Sequence, residues 1–340
     1  MKEAVVSKGP KVQIIDSPFP SPGADQVVIK VIVSGSNPKD WKVPNFVDYA
    51  SNQGDDIAGI VHAVGDNVTE FKAGDRVAAF HEMMSPHGSY AEYAVAWQHT
   101  TFHIPKTTTF EEASTLPLAA MTAAVGLYQR LGLPVPWRPA TAPTPLVIYG
   151  AASAVGAFTL QFALKSNIHP LICVAGRGAS FVESLIDRSK GDTVVDYRSG
   201  DEAVVKGIRD ALQGQKLQYA YDAVSEHGSY QNLGQVLEPN GKITLVLMGK
   251  KFEGIPATVE QSITKVAVVH NEEKDFGYVF FRLIGKGLAD GWFKPHPHEV
   301  RKGGLAGIEG ALTDLLDGKA SAVKYVFRIA DTEGLEKSSL

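Results

Sequence analysis

The chain has 340 residues, 44% of them apolar and 21% charged, with a formal net charge of −4. That length suits about two domains of ~100–200 residues each, and the slight acidic excess argues against a nucleic-acid-binding surface. No apolar run approaches the ~18–20 residues a bilayer-spanning helix needs, and the single cysteine, Cys173, excludes an intrachain disulfide and a cysteine-rich zinc site.

Met1 to Asp16 alternates charged and apolar residues and reads as a strand. It has neither the apolar stretch nor the small-residue cleavage site of a secretory signal, so a cytoplasmic location is expected. Short apolar runs follow over 27–33, 57–64 and 76–80, punctuated by turns at Ser21-Pro22-Gly23, Val64-Gly65-Asp66-Asn67 and Ala73-Gly74-Asp75. Strands of that length and spacing predict a small antiparallel barrel. Thr109 and Glu112 then have capping-box spacing and head an Ala- and Leu-rich helical stretch to Leu131, which Pro117 is expected to break or kink. Residues 132–145 contain five prolines and predict an extended connector.

From Leu146 onward strand and helix alternate. The pattern predicts strands over 146–149, 171–175, 193–196, 219–224 and 243–247, and helices over 154–165, 181–188 and 201–212. Such alternation implies a parallel sheet with helical crossovers. The tail predicts a helix over 277–289 and a last strand over 323–329, which is expected to return to the first domain.

Between the strand at 146–149 and the helix at 154–165 lies Tyr149-Gly150-Ala151-Ala152-Ser153-Ala154-Val155-Gly156. Residues this small let backbone N–H groups from Ala152 to Gly156 approach a pyrophosphate at the helix N-terminus. Ala152 departs from a clean G-x-G-x-x-G, so a tight turn that merely packs helix on sheet is the competing reading. The next strand selects the cofactor. No acid occurs in 170–180, where NAD sites use one for the ribose hydroxyls, whereas Arg177 sits between Gly176 and Gly178. A guanidinium there pairs with a 2′-phosphate, which favours NADPH over NADH; the alternative is a solvated turn residue. Tyr197, after the third strand, is placed to flank the adenine or donate to the same phosphate.

Five ordered motifs precede that region. They are Asn37-Pro38-Lys39-Asp40-Trp41-Lys42, Gly54-Asp55-Asp56-Ile57-Ala58-Gly59-Ile60-Val61, Val64-Gly65, Phe71-Lys72-Ala73-Gly74-Asp75-Arg76-Val77 and Gly88-Ser89-Tyr90-Ala91-Glu92-Tyr93. Together the chain resembles, over essentially its whole length, the zinc-independent quinone-oxidoreductase-like and enoyl-reductase-like branch of the medium-chain dehydrogenase/reductase superfamily. The segments 131–136, 276–281, 296–300 and 318–326 resemble the fungal ToxD-like group that includes trans-acting enoyl reductases of polyketide assembly. The resemblance implies an α/β fold: a Rossmann doubly wound parallel sheet over 119–274, and a GroES-like β-barrel catalytic domain from 1–118 and 275–340.

It also implies that no metal is used. Zinc-dependent relatives place a cysteine where Ser36 and Asn37 stand, a His-Glu pair where Asp55-Asp56 follows Gly54, and a third ligand near the apolar residues 116–118. A tetrahedral site needs three or four converging ligands. His81, His87, His296 and His298 read as loop histidines rather than a fallback site.

By the same resemblance, Asn37 and Pro38 border the nicotinamide, Asn37 bonding the ribose or the acceptor. Lys42 is the candidate enolate-stabilising cation, or else a surface lysine. Asp40 orients Asn37 or Lys42, or caps the turn. Thr122 is expected to face the nicotinamide or to bond its own helix backbone. Val224, Leu247 and Met248 are expected at the cofactor, and Lys324 either reaches it or is a solvated strand lysine. Trp41, Phe46 and Tyr49 line a pocket for a flat or acyl substrate, or belong to the barrel core.

The expected activity is NADPH-dependent reduction of an activated C=C bond in an α,β-unsaturated carbonyl, a quinone or an enoyl thioester. Carbonyl reduction and a non-catalytic NADPH-binding protein are the alternatives. The expected partners are a small-molecule or acyl-thioester substrate and a polyketide synthase, without nucleic acid or membrane, the chain being a monomer or a homodimer.

Overall fold

Alternation of apolar and polar residues organises the first hundred residues into strands, and a computed structural model describes residues 1–335. A hairpin of β1 (Lys2–Ser7) and β2 (Lys11–Asp16) leads to the long β3 (Gln26–Gly35). Then come α1 (Lys39–Val47), β4 (Asp56–Val64), β5 (Arg76–Phe80), β6 (Tyr93–Trp97), β7 (Thr101–His103) and α2 (Phe110–Ala113). Val27, Ile29 and Val31 of β3 enter a core with Ile57 and Val61 of β4 and Val77 and Ala79 of β5. β3 is antiparallel to β4, and its first half also pairs with β6.

Thr109 caps α2 with its side chain while Glu112 reaches back, as the spacing predicts. The helical stretch is broken at Pro117 as expected: α2 ends at Ala113, and Pro117 begins a separate helix, α3 (Pro117–Ala124), at a position where a missing N–H costs nothing. The coil then widens into a π-helical stretch over Val125–Arg130.

The second half alternates β8 (Leu146–Tyr149), α4 (Ala154–Lys165), β9 (Leu171–Ala175), α5 (Ala179–Glu183), β10 (Thr193–Asp196), α6 (Asp201–Leu212), β11 (Tyr219–Asp222), α7 (Ser229–Gly234), β12 (Lys242–Leu245) and β13 (Glu260–Ile263). These strands form one six-stranded parallel sheet in the order β10-β9-β8-β11-β12-β13. That is the doubly wound order, with the reversal beside β8 and all its following turns at one end of the sheet. Its core gathers Val147, Ile172, Val174, Val204, Ile208, Ala220 and Ile243.

The tail comprises α8 (Lys274–Asp290), β14 (His298–Val300), α9 (Ile308–Leu316) and β15 (Lys324–Arg328). β15 pairs antiparallel with the end of β3, so the last strand does return to the first sheet, whose order is β14-β15-β3-β4-β5-β7. The chain thus forms two compact units: Met1–Leu118 with the chain from Ala267 onward, and Ala119–Val266. The first unit resumes at Ala267, ahead of residue 275, because residues 267–270 belong to it. There His270 Nε2 donates to the Phe80 carbonyl at 3.2 Å and His99 Nε2 donates to that of Val269 at 3.0 Å.

Four sequence expectations change. The strand expected over Met1 to Asp16 is the β1–β2 hairpin, turned at residues 8–10. The helix expected over 181–188 is only α5, since Asp187 instead caps a separate turn over Arg188–Lys190. The strand expected to Val224 stops at Asp222, whose carboxylate turns the chain back on itself. The strand expected over 243–247 ends at Leu245. Among the described residues no helix is long and apolar enough to cross a membrane.

Candidate active site and cofactor cradle

Adjacent residues of an extended chain point to opposite sides, so the neighbouring acids Asp55 and Asp56, at the start of β4, serve two different clusters in the first unit. Both are essentially fully buried, which obliges each to find a cation or donors. Asp56 Oδ2 takes the Lys324 ammonium at 2.5 Å and the Asn37 amide at 2.7 Å, while Oδ1 accepts the Leu118 N–H at 2.7 Å. Lys324 also donates to Asn37 Oδ1 at 3.1 Å and to the Thr115 carbonyl at 3.3 Å. The Asn37 amide is thereby fixed in one orientation between a lysine and a carboxylate. Lys324 is 5% exposed, so it is not a solvated strand lysine.

Asp55 faces the other way. Its Oδ2 meets Lys39 Nζ at 2.5 Å, and its Oδ1 bonds His81 Nδ1 at 2.9 Å. Lys39 also contacts Asp40 Oδ1 at 3.1 Å and donates to the Gln53 carbonyl. Asp40 Oδ2 accepts the Asn37 backbone N–H at 2.7 Å and the Tyr90 hydroxyl at 2.6 Å. Pro38 precedes α1 in a helical conformation, so Asn37 to Asp40 form one tight turn.

Burial pushes the Asp40 carboxyl up to about 6; Lys39 opposes this, the Asp55 charge adds to it, and the bonds from Tyr90 and Asn37 oppose it. Burial also acts on Asp55, but Lys39 and His81 hold that carboxyl below its ordinary range. Burial works against the Lys39 ammonium, yet the Asp55 and Asp40 charges lift its pKa above the usual lysine value. Burial and the Asp40 charge raise the Tyr90 phenol well above normal. Lys39 and Lys324 thus occupy the carboxylates of Asp55 and Asp56. Among the described residues no group of three or more His, Cys, Asp or Glu side chains has metal-holding geometry. His81 is engaged by Asp55, Ser85 and Pro86, and burial, then Lys324, lowers His296 to about 3.

Lys42, the sequence candidate, is half-buried on α1 with its ammonium 5.4 Å from the Trp41 ring centroid. It is Lys39 and Lys324 that the described bonds tie to the carboxylates. Lys39 stood inside the motif but carried no assigned role. The available signal was the pair Asp55-Asp56 heading an apolar strand, which demands two cations. Trp41 packs against the first core, whereas Phe46 and Tyr49 are 77% and 49% exposed and so are not barrel core.

In the second unit the bend after β8 is built for close approach. Gly150 has φ +78°, and a Cβ on Gly156 would lie 2.3 Å from the Gly150 carbonyl oxygen. Ser153 caps α4 by accepting the Gly156 N–H at 3.1 Å. Ala154 and Val155, the first two residues of that twelve-residue helix, carry N–H groups for which the helix has no acceptor. Together with Ala152 they are half-exposed, so an anion can reach them.

Arg177 is exposed after β9. The Tyr197 ring lies so close to Gly176 that a Cβ there would be 2.5 Å from it. Asp196, at the end of the neighbouring β10, is held to about 2 by Arg198, which binds it through Nε and Nη2. The cradle therefore fits a 2′-phosphorylated dinucleotide: oriented backbone donors at the α4 N-terminus, no acid among residues 170–180 and a guanidinium at the next strand end. Val224 packs against Gly150, while Leu247 and Met248 lie just past β12, half-buried and exposed respectively. Thr122 is buried on α3, its carbonyl accepting the Tyr221 hydroxyl at 2.8 Å.

A mostly antiparallel first unit, a doubly wound second unit and buried acids paired with lysines mark a zinc-independent medium-chain dehydrogenase/reductase. The family model of the alcohol dehydrogenase GroES-like domain matches residues 23–106. The chain belongs to the trans-enoyl reductase family of that superfamily. It is 54% identical over 312 residues to trans-enoyl reductase fsr4 of Gibberella fujikuroi, covering 90% of this chain and 92% of the relative. It is 30% identical over 365 residues to trans-enoyl reductase resD of Aspergillus sclerotiorum, covering 96% and 100%. Among solved structures, a putative zinc-dependent alcohol dehydrogenase protein from Rhizobium etli CFN 42 superposes with a TM-score of 0.82 over 96% of this chain and 98% of that one, at 22% identity, which speaks to the fold.

Proposed function

We propose that the chain is an NADPH-dependent enoyl reductase that saturates an activated C=C bond. The observation that carries the cofactor choice is the half-exposed, small-residue bend at the α4 N-terminus, with Arg177 at the next strand end and no acid in 170–180. Backbone N–H groups of Ala152 to Gly156 hold the pyrophosphate, and Arg177 and Tyr197 hold the 2′-phosphate. Val224, Leu247, Met248 and Thr122 contact the nicotinamide half. When bound, NADPH supplies the hydride that the β-carbon of the alkene accepts.

Negative charge then gathers on the substrate carbonyl oxygen, where a donor is worth a few kcal/mol, and a proton from solvent completes the α-carbon. Lys42 is that donor. Asn37 presents its amide in the fixed orientation that Asp56 and Lys324 impose. Asp40 holds the turn that carries both residues. Phe46 and Tyr49, being exposed, offer apolar surface to an acyl chain. The substrate is an enoyl thioester presented in the cytosol by a separate polyketide synthase. Names of the relatives, trans-enoyl reductases, support this reading.

The test is NADPH oxidation against a panel of enoyl thioesters, enones, quinones and aldehydes, with products identified. A saturated thioester supports the proposal. An allylic alcohol would establish carbonyl reduction instead, and cofactor affinity without turnover on any acceptor would establish a binding protein.

A further inference from the structure

At the C-terminal end of the parallel sheet, β11 closes on a carboxylate that the cofactor reading leaves unused. Asp222 is fully buried, and both its oxygens are occupied. Oδ1 accepts the Val224 and Ser225 N–H groups at 2.9 and 2.8 Å, and Oδ2 accepts the Ser229 hydroxyl at 2.6 Å. The loop is thus held at its start and at the first turn of α7.

The same carboxylate keeps Ser225 in a left-handed conformation, φ +59°, which side chains with a Cβ rarely adopt. That conformation aims the Ser225 hydroxyl in two useful directions. It donates to the Asp222 carbonyl at 3.2 Å, and it accepts the Val246 N–H at 3.0 Å. Val246 is the first residue past β12 and immediately precedes Leu247 and Met248. One residue before Ser225, Val224 is pressed onto the Gly150 bend, where an added Cβ would lie 2.5 Å from its Cγ2. A single buried group therefore reaches the loop after β12 through Ser225 and the bend after β8 through Val224.

Nothing about packing alone requires this. A strand end can be terminated by any turn, whereas a strained non-glycine residue whose hydroxyl bridges to the next loop is costly and persists where geometry matters. We propose that Asp222 and Ser225 are positioning residues, setting Val224, Leu247 and Met248 for the nicotinamide half of the cofactor without touching its adenosine 2′-phosphate half. The proposal rests on the NADPH reading above.

The test is calorimetric binding of two ligands to the full chain: NADPH, and adenosine 2′,5′-bisphosphate, which lacks the nicotinamide. Ser225→Gly removes the hydroxyl and suits the positive φ, so it is chosen to keep the fold. Asp222→Ala removes the anchor, and Asp222→Asn restores an acceptor for the two N–H groups and a donor for Ser229. Ser225→Gly and Asp222→Ala are expected to weaken NADPH roughly tenfold or more while leaving the bisphosphate within about twofold, and Asp222→Asn to recover most of the loss.

Unchanged NADPH affinity in Ser225→Gly overturns the proposal. So does a parallel loss of both ligands in that variant, which is what a purely structural role gives. Wild-type protein that binds neither ligand overturns the cofactor reading itself, and this inference with it.

Discussion

Buried charges in the first unit are arranged so that each has a defined cost. Asp40 has the most telling position: its Oδ2 is held by Tyr90 and Asn37, and its other oxygen faces Lys39. Folding raises its pKa from 3.8 to about 6, chiefly through burial. The folded state therefore binds this proton more tightly than the unfolded chain does. Between those values, rising pH removes stability, and above 6 the cost is complete. Two pKa units correspond to about 3 kcal/mol. Accordingly, the stability of wild type relative to Asp40→Asn should fall by about that much between pH 3.8 and pH 7, as measured by urea unfolding. A difference that grows with pH would contradict the assignment. At the cofactor cradle, Arg177→Ala should weaken NADPH by roughly 10–100-fold, the worth of a lost charge-assisted pair, and leave NADH within about twofold. Equal losses for both nucleotides would remove Arg177 from the 2′-phosphate.

Elements in this protein are set as much by where backbones approach as by apolar periodicity. At Gly156 an added methyl would meet the carbonyl of Gly150 at 2.3 Å and the Cα of Ala151 at 2.7 Å, both backbone atoms that cannot rotate away. Gly156→Ala must therefore push α4 off the bend, costing ~1–3 kcal/mol and weakening NADPH through the same displacement. Gly310, inside α9, has nothing within 4 Å of its would-be Cβ. Gly310→Ala should accordingly stabilise by ~0.5–1 kcal/mol, because the helix then loses less backbone entropy. Denaturant midpoints moving in the same direction for the two variants would refute the contrast.

Legibility in the sequence followed the same physics. β8, β9 and β10 are short apolar runs between turn residues, and α4 and α6 have clean helical spacing, so their limits could be read directly. β13 could not, because Glu260 and Gln261 are exposed on an edge strand with no apolar run to announce it. α1 was hidden by its internal Pro44. Within the candidate site, the small-residue bend at 150–156 and Arg177 within 170–180 form a local pattern, so the proposed cofactor cradle can be read from sequence alone. Lys39 could not, since its partner Asp55 belongs to another element and only the fold brings the two together.

At the scale of the whole molecule, the buried titrating groups are unevenly shared between the two units. Burial lowers His270 to about 4 and His296 to about 3, and both belong to the first unit, as does His99, lowered by the same cause. Unfolding returns such histidines to about 6.5. Below that pH the unfolded chain binds more protons than the folded one, so stability falls as pH drops towards 4 and 3. At pH 5, His270 and His296 together cost the first unit about 4 kcal/mol, and Asp40, moving in the opposite sense below 6, returns about 1. In the second unit the buried Asp222 has a raised pKa, chiefly from burial, so acidification favours its folded state. Loss of order on mild acidification is therefore expected to start in the first unit. Hydrogen exchange at pH 5 and pH 7, corrected for intrinsic rates, should show protection lost in β3, β4, β5 and β15 before β8, β9 and β11. His270→Gln keeps an N–H for the Phe80 carbonyl but cannot be protonated, so combining it with His296→Gln should flatten the difference between the two pH values. Protection lost first from the parallel sheet, or an unchanged acid response in the double variant, would show that these histidines do not set the order of unfolding.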